Sequence, residues 1–156
     1  MTKEEQSMTD GLNSYRQVDY LTASPLKLVV MCYEQAIAQI KAAKEAYEKG
    51  DYATKGRCVT KSIDIIHELN SSLDMERGGE ISQNLRRLYL YILKTITEAD
   101  LKRDLGKFEH VVHILEELAE AWRTLASEQI KAEDKRVNQV PYGQRQTIMT
   151  ARNWQV

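Results

Sequence analysis

At 156 residues, with 22 basic against 23 acidic side chains, the chain has room for one domain with a sizeable core. It lacks the basic excess that nucleic acid or an anionic membrane would favour in a partner. Seven Gly and two Pro, in a chain 42% hydrophobic and 29% charged, leave few interruptions and point to long helices rather than strands. The longest apolar run, Leu28 to Tyr33, falls well short of the roughly 20 residues that cross a bilayer. The polar, acidic start MTKEEQSMTDG also lacks the basic-then-apolar order of a secretory leader. A cytoplasmic protein is expected, with no membrane insertion and no nucleic-acid partner.

Residues 1–11 read as disordered, and Leu12 to Leu21 as a short helix or an extended arm, so that residues 1–23 form an N-terminal arm. Ser24 suits a helix N-cap and Pro25 the first helical position, where no amide hydrogen is needed. From there Leu26, Val29, Val30, Tyr33, Ala36, Ile37, Ile40, Ala43 and Tyr47 recur at helical steps until Gly50-Asp51 supplies a turn. A second stripe, Val59, Ser62, Ile63, Ile66, Leu69 and Leu73, ends before Gly78-Gly79. A third runs through Ile81, Leu85, Leu88, Ile92, Ile96 and Ala99. A fourth, with Asp104 as its cap, runs through Leu105, Phe108, Val112, Leu115, Leu118, Trp122 and Leu125. Four amphipathic segments on short connections predict an all-α fold, an antiparallel up-down-up-down four-helix bundle over residues 1–127 with its arm. Residues 128–156 lose the apolar period and read as a flexible C-terminal tail, whose Ile148, Met149 and Trp154 could dock back on the bundle.

Little in this pattern suggests chemistry. Helical bundles hold paired metals with bridging glutamates and Glu-x-x-His steps, but only fragments occur here: Asp64 with His67, His110 with His113, and the isolated Glu34 and Glu98. None falls squarely on an inward stripe. Cys32 and Cys58 have neither metal nor redox spacing and read as free thiols. No nucleophile elbow exists, and Gly78-Gly79-Glu80 has too few glycines and no lysine in register for a phosphate loop. No catalytic residue, metal site or cofactor is expected.

The informative feature is apolar surface left over once the core is assigned. On the first helix Leu28, Met31, Ala38 and Ala42 lie opposite the core stripe, and on the third Leu90 and Leu93 are directed away from it. Two readings stay open: packing beneath the N-terminal arm, or a groove for an amphipathic partner helix.

The order Gly11-Leu12-x-x-Tyr15, Leu21-Thr22-Ala23-Ser24-Pro25 and Leu28-x-x-Met31-x-Tyr33-Glu34 resembles the N-terminal half of the FliS family of flagellin export chaperones. The likeness continues through Lys61-Ser62-Ile63-Asp64-Ile65-Ile66-x-Glu68-Leu69 and Ser72-Leu73-Asp74. It is most specific at Gly78-Gly79-Glu80-Ile81-x-x-Asn84-Leu85-x-x-Leu88-Tyr89-x-Tyr91-Ile92, and closes at Ala121-Trp122. The resemblance covers about residues 11 to 125. It implies a cytosolic, non-enzymatic helical chaperone that binds the C-terminal segment of newly made flagellin. Such a chaperone prevents premature polymerisation and delivers the subunit to the flagellar type III export gate. Leu12 and Tyr15 match the family's arm, a region linked to client binding. With Leu28, Met31, Leu90 and Leu93 they form the expected partner-binding set. Leu90 departs from the family, which usually has an acidic residue between the two tyrosines. The alternative is a regulatory adaptor that holds another flagellar regulator through the same groove.

Overall fold

The structure, a computed structural model, describes residues 25–144. Four long helices occupy most of them: α1 Pro25–Lys49, α2 Tyr52–Ser71, α3 Gly79–Lys102 and α4 Leu105–Asn138. The expected arm, the Ser24 cap, Leu12 and Tyr15, and Ile148, Met149 and Trp154 lie outside the described residues.

Each junction has a local cause. Gly50 adopts φ +72°, the left-handed conformation that ends a helix, and the Asp51 amide reaches back to the Ala46 carbonyl at 2.9 Å. Asp51 then caps α2, its carboxylate accepting from the Thr54 amide at 3.2 Å. Between α2 and α3, the Asp74 carboxylate accepts from the amides of Glu76 and Arg77, at 3.2 and 3.0 Å. The Asp74 carbonyl accepts from the Gly78 amide and the Ser82 hydroxyl, each at 2.9 Å. A Cβ at Gly78 would stand 1.7 Å from Ser82 Oγ and 2.7 Å from the Asp74 carbonyl oxygen, so this bend closes only around a glycine. Asp104 caps α4 as its position suggests, accepting from the Lys107 amide at 3.3 Å.

Cross-helix pairs give the directions. Lys41 meets Glu116 and Lys44 meets Glu109, so α1 and α4 run antiparallel. Tyr91 meets His110 and Glu98 meets Lys107, so α3 and α4 do too. Tyr33 meets Tyr89 and Tyr47 meets Asp100, which makes α1 and α3 parallel. Lys55, near the start of α2, meets Asp100 near the end of α3. This is the expected up-down-up-down order.

The described residues fall into two compact units. One spans 29–122, and the other holds 25–28 and 123–144. The core of the first is built from Tyr33, Ala36, Ile40 and Ala43 on α1, Val59, Ile66 and Leu69 on α2, Tyr89, Ile92, Ile96 and Ala99 on α3, and Phe108, Val111, Leu115 and Ala119 on α4. Buried Ser62 and Thr95 return their hydroxyls to the Val59 and Tyr91 carbonyls, at 2.7 and 2.8 Å, so both hydroxyls are satisfied.

Three expectations change. Ile81 has the phase of the core stripe but is 71% exposed, because it stands in the first turn of α3 just after the bend. Tyr89, absent from the third core stripe, is 1% exposed. The fourth helix does not stop near Ser127 but continues to Asn138. Its last stretch is made of good helix formers, with Gln129 donating to Glu133 one turn on at 3.2 Å, so backbone propensity sustains the helix after the apolar period thins. Taken by itself, the described part of the second unit exposes Leu125 and Ile130 and buries Val137.

Candidate interaction surface

α3 presents two contrasting faces. Inward, Tyr89 shares a hydrogen bond with Tyr33, their hydroxyls meeting in the core with ring centroids 6.4 Å apart. Burial raises both phenol pKa values. At Tyr33 the hydrogen bonds from Tyr89 and Trp122 oppose that rise in part. The pair therefore stays neutral and mutually satisfied, a buried polar contact that fixes α1 against α3. Tyr91, two residues on, is exposed and reaches His110 Nε2 on α4 at 3.0 Å.

Outward, Leu90 is 50% and Leu101 79% exposed. At about 100° per residue they lie roughly 160° and 180° from core Ile92, within about 20° of one another. Thr97 falls between them, exposed, with its hydroxyl turned to the Leu93 carbonyl at 2.9 Å. Leu93 differs from expectation: it is half-buried on the flank of α3 and packs against the core cluster. Arg86, Arg87 and Lys94 border this stripe and are all exposed. Leu101 and Thr97 escaped the sequence reading, although Leu101 stands three turns from Leu90 in the same phase. That spacing was the signal available.

On α1, Met31 is half-buried and Ala38 exposed, opposite the core stripe as expected. Leu28, also half-buried, belongs to the second unit. Tyr33 and Tyr89 face each other across the core.

Two clefts between helices have charged rims. One of about 310 Å³ lies between α3 and α4 beside Tyr91, Thr95 and His110, with Lys107 bound to Glu98 at 2.7 Å across it. A second, of about 190 Å³, lies between α1 and α4, bordered by the Lys41–Glu116 and Lys44–Glu109 pairs at 3.1 and 2.5 Å. Exposed pairs of this kind contribute little to stability. Among the described residues no group of three His, Cys, Asp or Glu side chains is placed to hold a metal. His113 instead meets Glu117 on its own helix at 3.3 Å. Cys32 and Cys58 are free thiols, and burial pushes the Cys32 thiol pKa up, away from reactive thiolate. No helix among the described residues is long and apolar enough to cross a membrane.

The end of the unit where α1 turns into α2 is locked by a small polar clasp. The Tyr47 hydroxyl donates to the Asp100 carboxylate at 2.5 Å, and Lys55 Nζ donates to the same oxygen at 2.9 Å while lying over the Tyr47 ring. Burial pushes the Asp100 carboxyl pKa up. The bonds from Lys55 and Tyr47 together outweigh burial and hold it below the ordinary carboxylate value.

Comparison with known proteins finds a family and relatives that match most of the chain. The family described as flagellar protein FliS matches residues 8–129. The chain is 36% identical over 121 residues to the flagellar secretion chaperone FliS of Salmonella typhimurium, aligning 74% of this chain with 90% of that protein. It is 35% identical over 125 residues to the Vibrio cholerae chaperone of the same name, covering 78% and 92% of the two chains. Against the Bacillus subtilis one it is 30% identical over 110 residues, covering 70% and 81%.

Proposed function

The chain belongs to the FliS family, and we propose that it is a cytoplasmic export chaperone that binds the C-terminal segment of newly made flagellin. In this reading it keeps the subunit from polymerising prematurely and delivers it to the flagellar type III export gate. The protein is a chaperone and not an enzyme. One observation supports client binding above the rest: the core behind α3 is closed and satisfied, yet Leu90 and Leu101 remain in solvent on its outer face. An apolar segment that folds as it binds needs a surface of this kind, rigid beneath and uncovered above. Met31 on α1 and Leu93 on the flank of α3 are proposed as further client contacts, and Leu28 is proposed on the family motif. Leu12 and Tyr15 join them on the family motif alone.

The test is a titration of the protein with a synthetic C-terminal segment of flagellin from the same organism, followed by calorimetry and circular dichroism. Stoichiometric binding with a gain of helix is the expected result, weakened by Tyr15→Ala without a change in the melt of the free protein. No heat and no helix gain would sink the flagellin reading and favour an adaptor for another flagellar regulator.

A further inference from the structure

The outer face of α3 has a charge pattern as well as an apolar one. Leu90, Thr97 and Leu101 form a stripe about 16 Å long at 1.5 Å per residue, three turns of helix. Arg86 lies on one flank of it and Arg87 and Lys94 on the other, all three exposed. Lys94 has an acidic neighbour, Glu98 at 3.9 Å, but that carboxylate is already bound by Lys107 at 2.7 Å. The other acid near the stripe, Asp100, is taken by Lys55 and Tyr47. The face is thus apolar along its middle and positive at its edges.

We propose that this face docks one amphipathic helix whose apolar positions, spaced i, i+3 or i+4, i+7 and i+11, are flanked by Asp or Glu, and that the flagellin segment supplies it. The inference rests on the chaperone reading above and adds the chemistry of the client at this site. Leucines matched along three turns hold the helix, and the flanking cations fix its register and speed its arrival. Nucleic acid is a poor fit, since three cations around a leucine stripe would leave the leucines uncovered against phosphate. A second copy fits no better. The acidic outer side of α4, at Glu109, Glu116 and Glu117, has no exposed large hydrophobic side chain between Leu105 and Trp122 to meet Leu90 and Leu101.

The experiment uses the full chain and a fluorescently labelled synthetic C-terminal flagellin segment, read by anisotropy at low and high salt. Arg86→Glu/Lys94→Glu is compared with Arg57→Glu/Lys61→Glu, an equal charge change on the exposed side of α2. The α3 variant should weaken binding by about tenfold at low salt, with the gap narrowing as salt rises, while the α2 variant stays within about twofold of the unaltered protein. Leu90→Ser/Leu101→Ser should weaken binding at both salts. Replacing the acids of the segment by Lys should restore its affinity for the α3 variant and lower it for the unaltered protein. All these positions are exposed, so unchanged thermal melts separate lost docking from lost folding. Binding that is tight but equal for the α2 and α3 variants, or indifferent to the acids of the segment, overturns the proposal and leaves the chaperone reading standing. No binding by the unaltered protein overturns both.

Discussion

Tyr89 and Tyr91 stand two residues apart in the same motif and do opposite work. Tyr89 is closed in the core with its hydroxyl on Tyr33, whereas Tyr91 lies in solvent against His110. The contrast extends to whole faces of α3: Ile92, Ile96 and Ala99 face inward with no exposure, while Leu90 and Leu101 face outward. On α3 the motif residues Tyr89 and Ile92 are thus architectural, while exposed Leu90 stands at a position the motif leaves open. The Gly78 bend belongs on the architectural side, because a side chain there has nowhere to go.

The largest effect expected from this division is at Tyr89. Tyr89→Ala should destabilise the protein by about 3–5 kcal/mol, from the lost aromatic volume and the stranded Tyr33 hydroxyl. A denaturant melt that shifts by less than about 1 kcal/mol would break the comparison. Gly78→Ala should lose about 1–3 kcal/mol through overpacking against Ser82 and the Asp74 carbonyl, read by the same melt. Tyr33→Phe should cost a similar amount, roughly 1–3 kcal/mol, by leaving the buried Tyr89 hydroxyl unpartnered. Tyr33→Phe/Tyr89→Phe should cost less than the sum of the single changes, since both polar groups then go together.

The clasp gives a pH signature. The pKa of Asp100 is lowered on folding, so its contribution is fully present above the ordinary carboxylate value near 4 and is lost as pH falls through the still lower folded value. The Lys55 pKa is raised, first by its bond to Asp100, so its share persists up to the ordinary lysine value near 10 and is lost only above it. Asp100→Asn should therefore lower stability by about 1 kcal/mol at neutral pH, with the difference from the unaltered protein shrinking below about pH 4. A difference independent of pH would mean that the carboxylate charge is not what Lys55 and Tyr47 hold. The smallest effect belongs to the outer tyrosine: Tyr91→Ala should change the melt by no more than about 0.5 kcal/mol.

Much of this was legible in the residues. The Pro25 start, the Gly50-Asp51 turn and the cap at Asp104 could be read directly, since turns and caps are decided by a few neighbouring atoms. Periodicity also found most of the core on α1 and α2. It failed on α3 and α4 in an instructive way. Tyr89 and Val111 lie beside the marked stripe, yet both are buried because facing helices wrap more than one row of positions. Ile81 lies on the stripe and is exposed because phase says which way a residue points and not whether anything faces it. Of the proposed client surface, the sequence found Leu90 and missed Leu101, and it placed Leu93 too far from the core.

Composition and local order alone determined that this chain is helical, where most of its helices begin and end, and which family pattern it carries. Those properties depend on backbone propensity and on contacts a few residues apart. Tertiary structure decided which tyrosine is core and which is surface, and that Ile81 stays exposed although it is in phase with the core. Each of these depends on what another helix places opposite, and no spacing within one segment contains that information.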